Sequence, residues 1–162
     1  MRFALLVLSD KAAAGVRDDA CLPVMEAGLP KGAHVVAREI VADDRSLIEM
    51  RLRTWCDSGD VDCVLTSGGT GLSARDVTPQ ATLAIMDYEV PGIAEAMRAA
   101  SMPAVPTAML SRAVAAVRGK TLIVNLPGSP RGARETLDVI AGVLPHAVKL
   151  LAGSVGEHAT ES

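Results

Sequence analysis

The residues best suited to chemistry lie in a glycine-rich stretch, "TSGGTGLSARDVTPQAT", which runs from Thr66 to Thr82. Glycines without a Cβ can let a ligand approach the bare backbone. The three glycines of this stretch occupy positions 68, 69 and 71, and Asp76 follows five residues after the last of them. If the glycines bind phosphate, a carboxylate beside them would repel the ligand, so the pairing needs an explanation.

Two known glycine motifs do not account for this stretch. It lacks the lysine of a Walker A loop. It matches the dinucleotide pattern G-x-G-x-x-A at Gly69, Gly71 and Ala74. That pattern should follow the first strand of its unit and open directly into a helix, whereas this one follows a third predicted strand and meets Pro79. A phosphate loop of a different kind and a plain connecting turn both remain open.

The residues after the glycines predict where the next helix begins. We expect a loop from 67 to 77, with Thr78 as the N-cap and Pro79 at the first helical position. The N-terminus of that helix would then direct its partial positive charge at the loop, as anion sites do.

Apolar strands and amphipathic helices alternate along the rest of the chain. This order predicts an α/β fold with a mainly parallel sheet and helices on both faces. The predicted strands are 3–9, 33–42, 61–67, and a hairpin formed by 113–119 and 120–128. The predicted helices are 18–32, 43–59, 79–87, 90–101 with "YE" joining it to the one before, and a closing helix 131–153 with a kink at Pro145.

Ligands of such sheets bind outside the carboxyl ends of the strands. Four stretches that directly follow predicted strands therefore become candidates for one site. They are Ser9-Asp10, Asp43-Asp44, "SGGTG" from Ser67, and "NLPGSP" from Asn125. Each is weak alone because turn residues are common in any loop, but together they predict a site at one edge of the sheet.

Composition narrows the class of protein. From the length of 162 residues we expect one domain, 1–153, and we expect the polar tail, 154–162, to be disordered. A net charge of −3 without a basic cluster, and 2 % aromatic residues, argue against a nucleic-acid partner. No apolar run reaches the roughly 20 residues of a membrane span. With three cysteines in no metal-binding or disulfide pattern, we expect a cytoplasmic protein.

Three long motifs resemble the MogA/MoaB family of molybdopterin adenylyltransferases, whose domain also occurs as the G domain of plant Cnx proteins and of gephyrin. They are "VLTSGGTGLSARDVTPQAT", "PTAMLSRAV" and "TLIVNLPGSPRGARETL", in the family's order, and the similarity covers nearly the whole chain. The resemblance implies a three-layer α/β sandwich that assembles as a homotrimer or hexamer. It also implies that ATP adenylylates the phosphate of molybdopterin with Mg²⁺, and that a downstream enzyme then inserts molybdate.

The resemblance supplies roles for particular residues and explains the carboxylate beside the glycines. The family's two catalytic, metal-binding aspartates match Asp43 and Asp76, with Asp44 as an alternative to Asp43. A divalent cation between carboxylates and phosphates would remove the repulsion. The substrate-binding residues carried over are Ser9, Asp10, Ser67, Gly68, Gly69, Thr70, Gly71, Ser111, Arg112, Asn125, Pro127, Gly128 and Ser129.

Some interpretations stay open at this stage. Arg112 could pair with a substrate phosphate, or form an ordinary ion pair at the surface or in an interface. The whole chain could be a molybdopterin carrier without chemistry, or a structural subunit whose glycine loop is only a turn. Metal-binding carboxylates at positions 43 and 76 favour the enzyme, because a carrier would not need them.

Overall fold

The structure, a computed structural model, describes residues 1–153, so the predicted tail 154–162 lies outside the described residues. The strands are β1 (Arg2–Leu8), β2 (His34–Val41), β3 (Cys63–Ser67), β4 (Tyr88–Glu89), β5 (Ala115–Arg118) and β6 (Thr121–Leu126). The helices are α1 (Asp10–Ala13), α2 (Cys21–Ala27), α3 (Arg45–Asp57), α4 (Thr78–Ile85), α5 (Pro91–Ser101), α6 (Pro130–Ile140) and α7 (Leu144–Leu151). A short 3₁₀ helix, Pro106–Leu110, precedes β5.

All six strands form one sheet in the order β2-β1-β3-β6-β5-β4. The four strands β2, β1, β3 and β6 run parallel, whereas β5 is antiparallel to both β6 and β4. The prediction of a mainly parallel sheet is confirmed. The carboxyl ends of β1, β2, β3 and β6 lie at one edge, which we call the site edge.

Helices cover both faces of the sheet and complete the three predicted layers. Alternate residues of β1 face opposite sides: Phe3 and Leu5 belong to one core cluster, and Leu6 to the other. The first cluster includes residues of α2, α5, α6 and α7, and the second includes residues of α3 and α4. Continuous burial of β1, β3 and β6 explains why their sequences are unbroken apolar runs.

Three predictions about the elements were wrong in detail. The sequence reading missed α1, whose four residues are too few to show helical periodicity. The residues Tyr88 and Glu89 are a short edge strand paired with β5, not a simple link between helices. The predicted closing helix 131–153 is two helices, because the chain turns at 141–143 and α7 begins with Pro145 in its first turn.

Within residues 1–153, no helix combines the length and the apolar character that a membrane span requires. The three cysteines, Cys21, Cys56 and Cys63, are free and buried. Burial raises the pKa of the Cys56 thiol to about 12. Cys56 and Cys63 therefore lie in the core as small apolar side chains.

Candidate active site

Backbone contacts bring the loops after β3 and β6 together at the site edge. The amide of Gly68 donates to the carbonyl of Leu126 at 3.2 Å, and the hydroxyl of Ser67 donates to the carbonyl of Pro127 at 2.8 Å. An ideal Cβ built on Gly128 would lie 3.0 Å from the Cα of Gly68. Ser67 is itself buried, so it joins the two loops from beneath the surface of the site.

The glycine loop owes its shape to two left-handed residues and to Thr78. Gly68 has φ +110° and Gly69 has φ +63°, whereas Gly71 does not have a positive φ. Thr78 was predicted as an N-cap, but it lies inside the first turn of α4, and its hydroxyl makes no cap hydrogen bond. The hydroxyl donates instead to the carbonyl of Gly68 at 2.8 Å, which fixes the loop against the N-terminus of α4.

The structure distinguishes Asp43 from its neighbour Asp44. Asp44 is the N-cap of α3, and its carboxylate accepts from the amide of Leu47 at 2.9 Å. Asp43 turns towards the glycine loop, where its Oδ1 lies 3.2 Å from the position of an ideal Cβ on Gly69. Asp44 therefore belongs to the start of α3, whereas the carboxylate of Asp43 lies beside the glycine loop.

Asp76 lies on the other side of the same loop. Its Oδ2 accepts from the amide of Ser73 at 2.8 Å and lies 2.9 Å from an ideal Cβ on Gly71. Burial, together with the negative charges of Asp10 and Asp76, raises the pKa of Asp43 above its ordinary value, although the amide of Asp10 and the charge of Arg75 oppose the shift. The negative charge of Asp76 therefore contributes to the raised pKa of Asp43 on the other side of the glycine loop.

Ser9 and Asp10 occupy the end of β1 and the start of α1. The hydroxyl of Ser9 caps α1 by accepting from the amide of Ala12 at 3.2 Å. The carboxylate of Asp10 accepts from the guanidinium of Arg75, which lowers the pKa of Asp10 below its ordinary value. Both polar side chains predicted to bind substrate thus have protein partners in this structure.

Arg112 holds the glycine loop in place. Its Nε donates to the carbonyl of Gly71 at 2.7 Å, its Nη2 donates to the carbonyl of Asp76 at 2.5 Å, and its amide donates to the carbonyl of Thr70 at 2.9 Å. Sequence reasoning had left phosphate binding and an ordinary ion pair as alternatives. Among residues 1–153 the partners of the Arg112 guanidinium are main-chain carbonyls, a role that neither alternative included.

Asn125 lies beneath the site edge and not on it. It has no exposed surface, and its Nδ2 donates to the hydroxyls of Thr66 and Thr82, each at 3.0 Å. Its Oδ1 accepts from the amide of Val114 at 3.4 Å. The side chain therefore joins β6 to β3 and α4, and this arrangement gives it no surface for direct contact with a substrate.

A cavity of about 340 Å³ opens beside the glycine loop, between α5, the 3₁₀ helix and the N-terminus of α6. It contains five of the predicted substrate residues: Thr70, Gly71, Ser111, Pro127 and Ser129. Ser129 is the N-cap of α6, where it accepts from the amide of Gly132 at 3.1 Å. Cavities of this size, with a few polar groups, are typical of small-molecule sites.

A second cavity of about 330 Å³ lies on the other side of Ser129, against the loop that precedes α2. Gly128, another predicted substrate residue, lines it together with Asp19 and Cys21. The carboxylate of Asp19 accepts from the amides of Cys21 and Leu22, at 3.0 and 2.8 Å, and so caps α2 where Ala20 cannot. Ser129 lines both cavities, and its side chain carries a hydroxyl.

The carboxylates offer oxygen ligands, but they do not form a closed metal site on their own. No group of three or more His, Cys, Asp or Glu residues within 1–153 is arranged to hold a metal ion. Oδ1 of Asp43 and Oδ1 of Asp76 each lack a hydrogen-bond donor in this part of the chain, while their Oδ2 atoms accept from amides. Two such carboxylates fit Mg²⁺, which usually takes one or two of them and completes its shell with water and phosphate.

Sequence reasoning missed two arginines at the site. Arg75 lies inside the quoted glycine stretch, directly before Asp76, so its position was visible although its partner Asp10 was not. Arg98, on α5, lines the 340 Å³ cavity and donates from Nη1 to the carbonyl of Ala113 at 2.9 Å. Nothing in the sequence around Arg98 distinguishes it from a surface residue of an amphipathic helix.

The fold and this edge define a class: an α/β domain with a candidate small-molecule site at the carboxyl ends of parallel strands. Comparison with known proteins gives the family. Residues 4–146 match the model of the probable molybdopterin binding domain found in molybdenum cofactor biosynthesis, and the chain belongs to that family.

Curated relatives and solved structures agree with this placement. The chain is 39 % identical to the molybdopterin adenylyltransferase of Escherichia coli, over 99 % of this chain and 90 % of that protein. It is 42 % identical to the Helicobacter pylori protein of the same name, over 93 % and 87 %. The crystal structure of the molybdopterin biosynthesis enzyme MoaB from Thermus thermophilus superposes with a TM-score of 0.88 at 48 % identity, over 94 % of this chain and 96 % of that one.

Proposed function

We propose that this protein is a molybdopterin adenylyltransferase, a nucleotidyltransferase of molybdenum cofactor biosynthesis. In the reaction, a phosphate oxygen of molybdopterin bonds to the α-phosphorus of ATP. The bond from that phosphorus to the bridging oxygen breaks, and pyrophosphate leaves. The observation that carries the proposal is the placement of Asp43 and Asp76 against one glycine loop, beside a cavity of small-molecule size. The relatives' names support the same activity.

The pterin would occupy the 340 Å³ cavity. Its lining combines apolar surface with the hydroxyls of Ser111 and Ser129 and with the cationic side chain of Arg98. A flat heterocycle with several donors and acceptors suits this mixture, because apolar walls supply contact area and a few polar groups fix the orientation. The N-terminus of α6 at Ser129 adds a partial positive charge on the side where a phosphate would lie.

Asp43 and Asp76 would hold Mg²⁺ between the two substrates, since each keeps one carboxylate oxygen without a donor in the described chain. A magnesium ion held by these two carboxylates would supply positive charge to offset the negative charge that develops during transfer. Asp44 has no part in this because it caps α3.

The remaining residues of the site edge bind and orient. The glycine loop would offer backbone amides to an anion, because Thr78 fixes the loop against the N-terminus of α4. Arg112 fixes the loop through the carbonyls on both sides of the segment that leads to Asp76. Ser67 and Asn125 support this surface from below through their buried hydrogen bonds.

A molybdopterin carrier without chemistry is the competing function, and a purely structural subunit is a third. Incubation of the purified protein with molybdopterin, Mg²⁺ and ATP labelled at the α-phosphate separates them. The transferase forms labelled adenylylated molybdopterin and one equivalent of pyrophosphate. A carrier binds the pterin without product, and a structural subunit does neither, so either result would refute the proposal.

We also propose that the protein self-associates as a trimer or hexamer and delivers its product to a molybdate-inserting enzyme. The support for self-association is an apolar surface on the segment 95–110, where Val105, Met109 and Leu110 are exposed. Exposed apolar side chains grouped in one segment are a feature of protein interfaces, although Val105 and Leu110 also line the 340 Å³ cavity.

A further inference from the structure

Arg75 and Asp10 join two segments of the site edge by a two-pronged ion pair. Arg75 lies in the glycine loop after β3, and Asp10 begins α1 after β1. The Nε of Arg75 donates to Oδ2 of Asp10 at 3.0 Å, and its Nη2 donates to Oδ1 at 2.6 Å. This fork geometry fixes direction as well as distance between the two side chains.

Asp10 is in turn bonded to Asp43 at two points. The amide of Asp10 donates to Oδ2 of Asp43 at 3.2 Å, and Oδ1 of Asp10 accepts from the amide of Asp43 at 3.0 Å. The carboxylate that receives Arg75 thus also fixes the backbone of Asp43. Arg75, Asp10 and Asp43 form one continuous chain of hydrogen bonds across the ends of β3, β1 and β2.

This chain of bonds determines which oxygen of Asp43 faces the glycine loop. Because Oδ2 is taken by the amide of Asp10, Oδ1 is the oxygen directed towards Gly69. The positive charge of Arg75 also offsets the negative charge of Asp10. Without Arg75, two carboxylates would lie side by side with no cation from residues 1–153 between or beside them. An exposed ion pair of this kind contributes little to the free energy of unfolding. We therefore expect its loss to change metal binding at Asp43 and to leave stability nearly unchanged.

We infer that Asp10 and Arg75 are positioning residues that orient Asp43 for metal binding and contact no substrate themselves. The inference rests on the proposed function for the identity of the reaction. It replaces the expectation from sequence that Asp10 binds substrate. Residues that orient a metal ligand typically change metal affinity or activity by about 10- to 100-fold when they are replaced.

The test compares Asp10→Asn, Arg75→Met and the double variant with wild type. Asn at position 10 can still accept from the amide of Asp43 but no longer carries the charge that holds Arg75. Four quantities are measured: Mn²⁺ affinity by electron paramagnetic resonance with ATP present, molybdopterin affinity by fluorescence, kcat, and KM for ATP. Arg38→Met is the control, because Arg38 forms a similar two-pronged pair with Glu26 and is also exposed.

Each single variant should lose about tenfold or more in Mn²⁺ affinity and in kcat, with molybdopterin affinity unchanged. The double variant should be no worse than either single variant, because both act through Asp43. Arg75→Lys should recover part of the loss, since it restores the charge without the fork. The control should behave as wild type.

Three results would overturn the inference. Unchanged Mn²⁺ affinity would mean that the ion pair does not orient Asp43. Tighter ATP binding by Asp10→Asn with weaker binding by Arg75→Met would make Arg75 a phosphate ligand that Asp10 restrains. Additive losses in the double variant would mean independent roles. If wild type forms no product at all, the proposed function fails, whereas the comparison of Mn²⁺ affinities still decides the positioning role.

Discussion

Gly128 packs against Gly68 so closely that a Cβ on Gly128 would lie 3.0 Å from the Cα of Gly68. Gly68 also packs against the carbonyl of Leu8, at the end of β1. The loops that follow β3 and β6 and the last residue of β1 therefore approach one another through their backbones. The shape of the site edge depends on the absence of side chains at these two positions.

Replacement of Gly68 by alanine should destabilise the protein more than the same replacement at a left-handed glycine that has open space around it. The new Cβ meets the carbonyl of Leu8 and also requires an L-residue at φ +110°. We expect a loss of about 2–4 kcal/mol in the free energy of unfolding, from backbone strain and overpacking together. Gly59→Ala is the control, because Gly59 has φ +75° and open space, so it should lose only about 1 kcal/mol. Equal losses in urea unfolding would contradict the close approach.

Arg112→Met should loosen the glycine loop without unfolding the domain. The variant removes two charge-assisted bonds to the carbonyls of Gly71 and Asp76, and their loss should lower stability by about 1–3 kcal/mol. Because the loop carries Asp76, kcat should fall together with substrate affinity. Arg134→Met, which breaks only an ion pair within α6, should leave kcat and substrate affinity unchanged. Normal kinetics for Arg112→Met would remove the residue from the site.

Asp43→Asn should stabilise the ligand-free protein at neutral pH, although it should impair the enzyme. The pKa of Asp43 is raised by burial and by neighbouring carboxylates. The folded state therefore binds this proton more tightly than the unfolded state, so stability falls as pH rises from the ordinary aspartate pKa of about 3.9 through the raised value. Melting scans in a chelator should give the variant a higher Tm at pH 7 and no advantage near pH 3. A lower Tm at pH 7 would contradict this electrostatic account.

Self-association through the segment 95–110 is testable with one surface change. Met109, 62 % exposed, lies on the 3₁₀ helix. If this surface is an interface, Met109→Glu should shift the mass from light scattering towards the monomer at micromolar concentration. Val16→Glu, at a residue that is 75 % exposed elsewhere, should leave the mass unchanged. A monomeric wild type would refute self-association.

The sequence predicted the centre of the sheet well because β1, β3 and β6 are buried on both faces and their sequences are continuous apolar runs. It failed where the local pattern was short or ambiguous. The four residues of α1 make barely one helical turn, too little to show a periodic pattern, and the two residues of β4, Tyr88 and Glu89, are too few to alternate. The break between α6 and α7 was predicted as a kink at Pro145, but the chain turns at 141–143, and Pro145 lies in the first turn of α7.

At the site, the sequence identified the glycines and aspartates as candidates, but it could not predict their hydrogen-bond partners. Asp43 and Asp44 are indistinguishable in sequence, and only the N-cap bond to Leu47 assigns one to α3. Asn125 lies near the carboxyl end of an apolar strand, where a ligand-binding residue could also lie, yet its amide joins two buried threonines. The partner of Arg75, Asp10, is 65 residues away, a separation that no local pattern can reveal.

The most direct test of the account compares three aspartate-to-asparagine variants at the site edge. Each is assayed for molybdopterin binding and for single-turnover formation of adenylylated molybdopterin from ATP labelled at the α-phosphate. Asp43→Asn and Asp76→Asn should keep pterin affinity and lose adenylylation by about 100-fold or more, because each removes a charge that would hold Mg²⁺. Asp44→Asn should react as wild type, since asparagine also caps a helix. Near-normal turnover by Asp76→Asn, or an equal loss in Asp44→Asn, would contradict the account.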